Sequence, residues 1–315
     1  MPMQIEQYHA GLKAEWDTFV SASKNGTFLF YRDYMEYHSD RFPDASFLIR
    51  DDRGRVLALL PAHRSGDELV SHGGLTYGGF VVSDEIRVLT AISIFSATLE
   101  HLGQLGVRRL IYKSVPDIYH RAVANETLYA LAMVNARLVR RDVLSVIAPA
   151  QGFSMQERRH RAVKKAARSG LRVEQQADFA EFWGHLERNL WDIYQAKPVH
   201  TLAEITLLKD RFPENIKLFC ALQGHDVVAG VVIYESDTVA HVQYVANSPE
   251  GRKLGAVDLI YHWLLTEYYR AKPYFDFGNS VGEDAWGLNL GVLEFKESFG
   301  GRAVVHDFYE IDIPG

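Results

Sequence analysis

Residues 217–270 read KLFCALQGHDVVAGVVIYESDTVAHVQYVANSPEGRKLGAVDLIYHWLLTEYYR. Two apolar runs, Lys217–Ala221 and Val227–Tyr234, flank Gln223-Gly224-His225-Asp226, which has the composition of a hairpin turn between strands. A third run, Ala240–Ala246, opens onto the polar, glycine-bearing segment Asn247–Gly255, predicted as a loop. Helical periodicity then covers Ala256–Arg270. Beyond it the pattern predicts a strand at Tyr274–Phe277, a glycine-bearing loop, a short helix near Gly291–Phe299 and a last strand at Ala303–Ile311. This is the order of an α/β layer structure with mixed sheets and helices on both faces.

The first half repeats that order. Phe47–Ile49 and Val56–Leu60 flank Asp51-Asp52-Arg53-Gly54, Glu68–His72 is the third run, and a glycine-rich stretch, Gly73–Gly79, follows it. A helix is predicted over Ile86–Leu105, then a strand at Arg109–Tyr112, a helix near Glu126–Met133 and a strand at Arg137–Ile147. The correspondence is one of order and spacing rather than residue identity. Between the copies lie a basic helix, Met155–Ser169, stopped by Gly170, and helices at Phe179–Tyr194 and Leu202–Arg211. The boundary is predicted near Pro149–Ser154, giving domains 1–152 and 153–315.

A chain of 315 residues, 47% hydrophobic and 23% charged, has the size and composition of two globular domains. The single cysteine excludes an intrachain disulfide and a Cys-based zinc cluster; Cys220, inside the apolar run Ile216–Leu222, reads as a core thiol. No apolar stretch approaches the ~18 residues that span a bilayer, and Met1 to Leu12 lack the pattern of a secretory signal. The expectation is a cytoplasmic protein with no membrane insertion. A net charge of −6 weighs against non-specific nucleic-acid binding. Gly-x-Ser-x-Gly, His-Glu-x-x-His, Walker and Gly-x-Gly-x-x-Gly motifs are absent from the sequence, so hydrolase, zinc protease, NTPase and dehydrogenase readings have no support.

The hairpin, third strand, loop and long helix resemble the core of GNAT (Gcn5-related) acetyltransferases. Arg158-Arg159-His160-Arg161-Ala162-Val163-Lys164-Lys165-Ala166, with Gly170 after it, resembles the arginine-rich helix that opens the second half of Fem-type transferases. Tyr274-Phe275-Asp276-Phe277-Gly278 and Phe295-Lys296-Glu297-Ser298-Phe299-Gly300 are similar to the C-terminal signatures of that family. Lys197-Pro198-Val199-His200 and His241-Val242-Gln243-Tyr244 look like its FemAB-related, polysaccharide-cluster branch; Ser71-His72 and Thr76-Tyr77-Gly78-Gly79 extend the likeness to the first half. The resemblance implies two tandem GNAT-like (acyl-CoA N-acyltransferase-like) domains. It implies a first copy that serves as acceptor platform and a second that carries the donor and catalytic site. It also implies transfer of an acyl group from acyl-CoA to an amino group of a sugar or cell-envelope precursor, with no metal. The alternatives are an aminoacyltransferase using charged tRNA, which the acidic net charge disfavours, and a non-catalytic binding module with a decayed site.

The same resemblance assigns Lys296 to the developing oxyanion or leaving group, where loss of a stabilising donor typically costs ~3–4 kcal/mol. Tyr244, at the end of the third strand, has a phenol suited to protonating a leaving group. His200 has an imidazole suited to a general base, and Lys197 beside it is a candidate for an acceptor phosphate or carboxylate. Gln243, His72 and Tyr77 are candidate acceptor contacts. Strand alternation puts His241 and Gln243 on one face and Tyr244 on the other, so these three share a pocket only if the strand bulges. Asp276, between two aromatics, requires a partner if buried. Arg158, Arg161 and Lys165 lie along one helix side as a phosphate-binding stripe. The segment before the long helix, with Arg252, Lys253, Gly255 and Ala256, stands where GNAT enzymes hold the donor's pyrophosphate on main-chain amides. Its glycine spacing is degenerate.

Overall fold

The computed structural model describes residues 3–313; Met1, Pro2, Pro314 and Gly315 lie outside the described residues. The chain forms two compact units. Unit 1 runs to Asp142 and takes back the chain from Val305 on; unit 2 is Val143–Val304. The units divide at Asp142/Val143 and again at Val304/Val305, the second because the last strand pairs within unit 1.

Unit 1 begins with β1 (Gln4–Gln7), α1 (Lys13–Ala22), α2 (Arg32–Met35), β2 (Phe47–Arg50) and β3 (Val56–Leu60). It continues with β4 (His63–Ser65), β5 (Glu68–Val70), β6 (Val81–Val82), α3 (Val88–Gln104), β7 (Arg109–Lys113) and α4 (Glu126–Met133), and β8 (Arg137–Ile147) leads out of it. The strands β1-β2-β3-β6 form an antiparallel sheet. Its Phe47, Ile49 and Leu60 are buried in one core with Ile94, Phe95 and Leu102 of α3, which is why α3 carries an apolar stripe.

Unit 2 contains α5 (Glu157–Arg168), β9 (Arg172–Gln176), α6 (Ala180–Tyr194), α7 (Leu202–Arg211), β10 (Ile216–Gln223), β11 (Asp226–Glu235) and β12 (Val239–Asn247). Then come α8 (Pro249–Leu254), α9 (Ala256–Trp263), β13 (Tyr274–Asn279), α10 (Leu290–Glu297) and β14 (Arg302–Asp312). The end of β8 joins a sheet of order β8-β13-β12-β11-β10-β9. Chain from Val305 on belongs to unit 1, where β14 pairs antiparallel with β7, Ile311 opposite Leu110.

Ile233, Ala240, Val242, Phe275 and Phe277 point to the sheet face covered by α5 and α9, where they meet Ala166, Ile260 and Tyr261. Helices α6 and α7 cover the other face, with Phe182 against Gly230 of β11. The ends of α7 follow from its sequence: the Thr201 hydroxyl accepts from the Glu204 N–H while the Glu204 carboxylate accepts from the Thr201 N–H.

Two expectations are corrected here. The segment predicted as a loop, Asn247–Gly255, is largely the helix α8. Ser248 caps it, Pro249 occupies its first turn, and Gly255 ends it in the left-handed conformation at φ +80°. The long helix predicted over Ala256–Arg270 is α-helical only to Trp263; residues Leu264–Tyr268 widen into a turn of π-helix.

Candidate active site

Strands β12 and β13 run parallel and pair at Val239–Tyr274, Ala240–Phe275 and His241–Asp276. Their register ends there, although β12 continues to Asn247 and β13 to Asn279. Both strands carry an irregularity just past the last pair. In β12, Val232 of β11 faces Tyr244 while Ile233 faces Val242, so Gln243 is an extra, bulged residue. In β13 the pairing to β8 slips between Asp276 and Asn279, where Gly278 holds φ +75°. Bulges bend strands and end pairing; together these two open a fork in the sheet.

The bulge settles which side chains line the fork. Val242 is in the core with α9, and its partner Ile233 is on that same face. Simple alternation would send Tyr244 to that face as well. The inserted Gln243 instead sets Tyr244 opposite Val232, on the side where its ring meets Trp183 of α6, edge to face at 5.3 Å. His241 and Asp276 flank core residues and face this side too. The separation of His241 from Tyr244 predicted by alternation is therefore corrected: the bulge puts them on one face.

Polar groups converge there. Asp276 is fully buried; its Oδ1 accepts the Gly278 N–H at 2.7 Å and its Oδ2 lies 2.9 Å from Nδ1 of His241. Lys296 of α10, only 8% exposed, donates from Nζ to the carbonyls of Gly278, at 3.0 Å, and Asn279. Burial pulls its pKa down to about 8, against the pull of the Asp276 carboxylate. The Tyr244 phenol is pushed up to about 12 by burial, and the His200 N–H and the Gln243 side chain hydrogen-bond it. A phenol so held stays protonated, and its oxygen lies 2.6 Å from His200 Nδ1. His200 itself is 4% exposed, tucked behind Tyr244 rather than displayed on an open loop; Lys197 is exposed.

The basic helix divides its cations among several tasks. Arg158 pairs with Glu294 at 2.9 Å, Lys165 donates to the Lys253 carbonyl at 2.7 Å, and Arg161, Lys164 and Arg168 are exposed. Arg159 turns inward: it donates to Ser298 Oγ at 2.7 Å and Asp258 at 2.9 Å, with its guanidinium 4.3 Å above the Phe295 ring. It clamps α5 to the segment that bears Lys296. In α8 the Gly251 N–H goes to the Ser248 hydroxyl and the Arg252 N–H to the Ser248 carbonyl, so those amides are engaged within the helix. Arg252 and Lys253 are exposed on it, Gly255 abuts Ala162 of α5, and buried Ala256 starts α9.

Residues 154–296 match the family described as an acetyltransferase (GNAT) domain. The matched segment lies within unit 2. Across almost its full length the chain is similar in fold to the crystal structure of FemX, at TM-score 0.68 and 11% identity, covering 98% of this chain and 97% of that one. It is also similar to the C-terminal domain of a putative lysylphosphatidylglycerol synthetase from Agrobacterium fabrum, at TM-score 0.63 and 11% identity over 95% and 92% of the two chains. A tandem GNAT protein from the clavulanic acid biosynthesis pathway matches at TM-score 0.51 and 11% identity over 100% and 99%. A search of curated protein sequences returns no match.

The two GNAT-like units treat the equivalent fork differently. In unit 1, β5 and β7 run parallel and pair at Val70–Ile111, but the glycine-rich loop then fills the opening. The Lys113 N–H donates to Ser71 Oγ at 2.7 Å, the Gly78 N–H donates to the Lys113 carbonyl, and Lys113 Nζ donates to the carbonyls of His72 and Leu75. Gly78 packs so close to the Ser71 carbonyl that any Cβ would strike it. His72 and Tyr77, predicted to touch an acceptor, are 2% and 3% exposed; Tyr77 spends its hydroxyl on Thr27 and its ring on Phe30 and Tyr119. Burial holds the His72 imidazole neutral, its pKa at about 2.

The structure thus joins Tyr244 with His200 and Gln243, sets Lys296 on the Gly278 and Asn279 carbonyls at the end of β13, and leaves Lys197, Arg161 and Arg252 exposed on unit 2. Sequence reasoning missed the pairing of His241 with Asp276 and the clamp by Arg159. The alternation that placed both His241 and Asp276 mid-strand was visible, but the register that pairs them was not. Among the described residues no group of His, Cys, Asp and Glu side chains is arranged to hold a metal, and no helix is long and apolar enough to cross a membrane.

Proposed function

We propose that this protein is an N-acyltransferase that moves an acyl group from acyl-CoA to an amino group of a sugar or cell-envelope precursor, with the acyl carbonyl seated in the β12/β13 fork. The observation that carries the reading is the buried Lys296 ammonium beside that fork. Two of its three N–H bonds are spent on the Gly278 and Asn279 carbonyls, which fixes the ammonium in place before any substrate arrives. As the acceptor amine attacks, charge grows on the carbonyl oxygen, and a preorganised cation in a water-poor site lowers the barrier to that step. Tyr244 supplies a proton to the leaving group, and His200, bonded to the phenol, positions it. Gln243 and Lys197 contact the acceptor. Arg252, Lys253 and the Gly255-Ala256 start of α9 meet the donor's phosphates, with Arg158, Arg161 and Lys165 beyond them. The reaction belongs to the cytoplasm.

A second reading, aminoacyl transfer from charged tRNA, has a specific observation in its favour. The α8 amides are engaged within the helix, whereas Arg161, Lys164 and Arg168 of α5 lie exposed, a pattern suited to backbone phosphates. The names of the FemX and lysylphosphatidylglycerol synthetase structures agree with it. Thiol release from a series of acyl-CoAs, presented with amino sugars and peptide amines, tests the first reading. Transfer from charged tRNA, weakening steeply with salt and absent with every acyl-CoA, favours the second.

A further inference from the structure

We propose that His241, oriented by Asp276, is the base that accepts the proton of the attacking amine. The inference rests on the acyl-transfer reading above and adds to it a residue for which no role is established. His241 and Asp276 are the last paired residues before β12 and β13 part, so the imidazole stands at the throat of the fork. Asp276 is held in one orientation: its Oδ1 is committed to the Gly278 N–H and its Oδ2 to His241 Nδ1. A carboxylate fully buried needs a hydrogen-bond donor, so Nδ1 carries the proton and the Nε2 lone pair is left to accept one. The ring is 13% exposed, open enough to reach a ligand. His200, the other histidine of this face, is 4% exposed with Nδ1 taken by Tyr244, so it is badly placed to meet an acceptor.

The groups around His241 fit the task. Tyr234 of β11 is its register partner, Asp276 lies on β13, and Gly278, whose carbonyl holds Lys296, sits against its Cε1. Tyr244 with His200 lies farther along the same face. In the step itself the amine nitrogen bonds the acyl carbon and the carbon–sulfur bond of the thioester breaks. The amine proton passes to Nε2 and Asp276 steadies the imidazolium. Tyr244 gives its proton to the departing thiolate. His241 then returns a proton to solvent and Tyr244 regains one, so that thioester and amine leave as amide and thiol.

The test compares wild type, His241→Gln and Asp276→Asn by thiol release with an alkylamine and with hydroxylamine, a nucleophile already deprotonated at neutral pH. For the alkylamine we expect kcat to fall 10²–10³-fold in His241→Gln, with donor KM changed less than about threefold and the acid limb of the pH profile lost. Hydroxylamine should recover most of the deficit, which a purely structural role would not permit. Equal loss with both nucleophiles, or an unimpaired His241→Gln, overturns the proposal. Long-range ¹H–¹⁵N NMR of the wild-type ring gives a second reading free of folding defects: a proton on Nδ1 supports the pair, a proton on Nε2 alone overturns it. A wild-type protein with no transfer from any acyl donor defeats the acyl-transfer reading instead, while the NMR still reports on the pair.

Discussion

Lys296 Nζ lies 3.0 Å from the carbonyl of Gly278, the residue whose own N–H holds Asp276. One glycine therefore joins the cation of α10 to the carboxylate of β13. Each is costly to bury alone, and neither is buried without partners.

From this comes a prediction about catalysis. Lys296→Ala should fold, because the helix bearing it is held separately by Phe295 and Phe299, yet kcat should drop by about 10²–10³ if the ammonium steadies the oxyanion. Since burial sets the pKa at about 8, the ammonium is present below that value, and wild-type kcat should decline as pH rises through it. In Lys296→Arg the charge persists, so any residual activity should lack that alkaline limb. A pH–kcat profile of the two proteins decides the matter; an identical limb in both would remove Lys296 from the role.

How this site was written in the sequence differs residue by residue. The Phe295–Gly300 signature placed Lys296, and period-two runs placed β10 to β13, because those patterns are local. The fork was invisible: it depends on the extra residue in β12, and Gln243 has nothing in its type or neighbours that marks a bulge. Likewise α8 was hidden by Gly251 and Gly255, which look like loop residues until Ser248 is seen to cap the helix. His72 and Tyr77 misled for the opposite reason, since a glycine-rich loop reads the same whether it cradles a ligand or, as here, packs onto its own strand.

Both buried lysines should mark the stability curve. Burial lowers Lys113 and Lys296 to about 8, from the ordinary 10.5. Between those values the folded chain binds fewer protons than the unfolded one, so unfolding free energy rises with pH across that window. Urea midpoints measured from pH 7.5 to 9.5 should climb in wild type and flatten in a Lys113→Met, Lys296→Met double variant. Parallel curves would mean that these ammonium groups are better solvated than their burial implies.

Cys220 should be silent. Its thiol is fully buried, opposite Gly230 in the β10–β11 ladder, and burial pushes its pKa up to about 12. Ellman's reagent at pH 8 should leave the native protein unlabelled and titrate one thiol in guanidinium; rapid labelling of the native state would contradict this environment.

Arg159 should matter more for stability than its exposed neighbours. It is three-quarters or more enclosed and meets Asp258, Ser298 and the Phe295 ring at once. Arg159→Ala would strand the Asp258 carboxylate, at a cost of roughly 3 kcal/mol, the lower end for breaking a buried pair. Arg159→Lys should recover little, because an ammonium cannot span both acceptors and stack on the ring. Arg161→Ala should be neutral within about 0.5 kcal/mol. Denaturant titration separates the three.

The sharpest test of the fork is to remove the residue that makes it. Deleting Gln243 would remove the bulge and set Tyr244 directly after Val242, on the face away from the α9 core and still opposite Val232. The phenol would keep its side of the strand, while the strand past His241 would have no bulge to bend it from β13. Replacing Gln243 by Ala keeps the residue count, so the bulge should survive with only the amide lost. We therefore expect Gln243→Ala to fold normally and keep activity within about tenfold, whereas the deletion, which closes the fork, loses transfer although Tyr244 keeps its side of the strand. Should the deletion protein keep wild-type activity, the opening between the strands would have to arise from β13 alone, through Gly278.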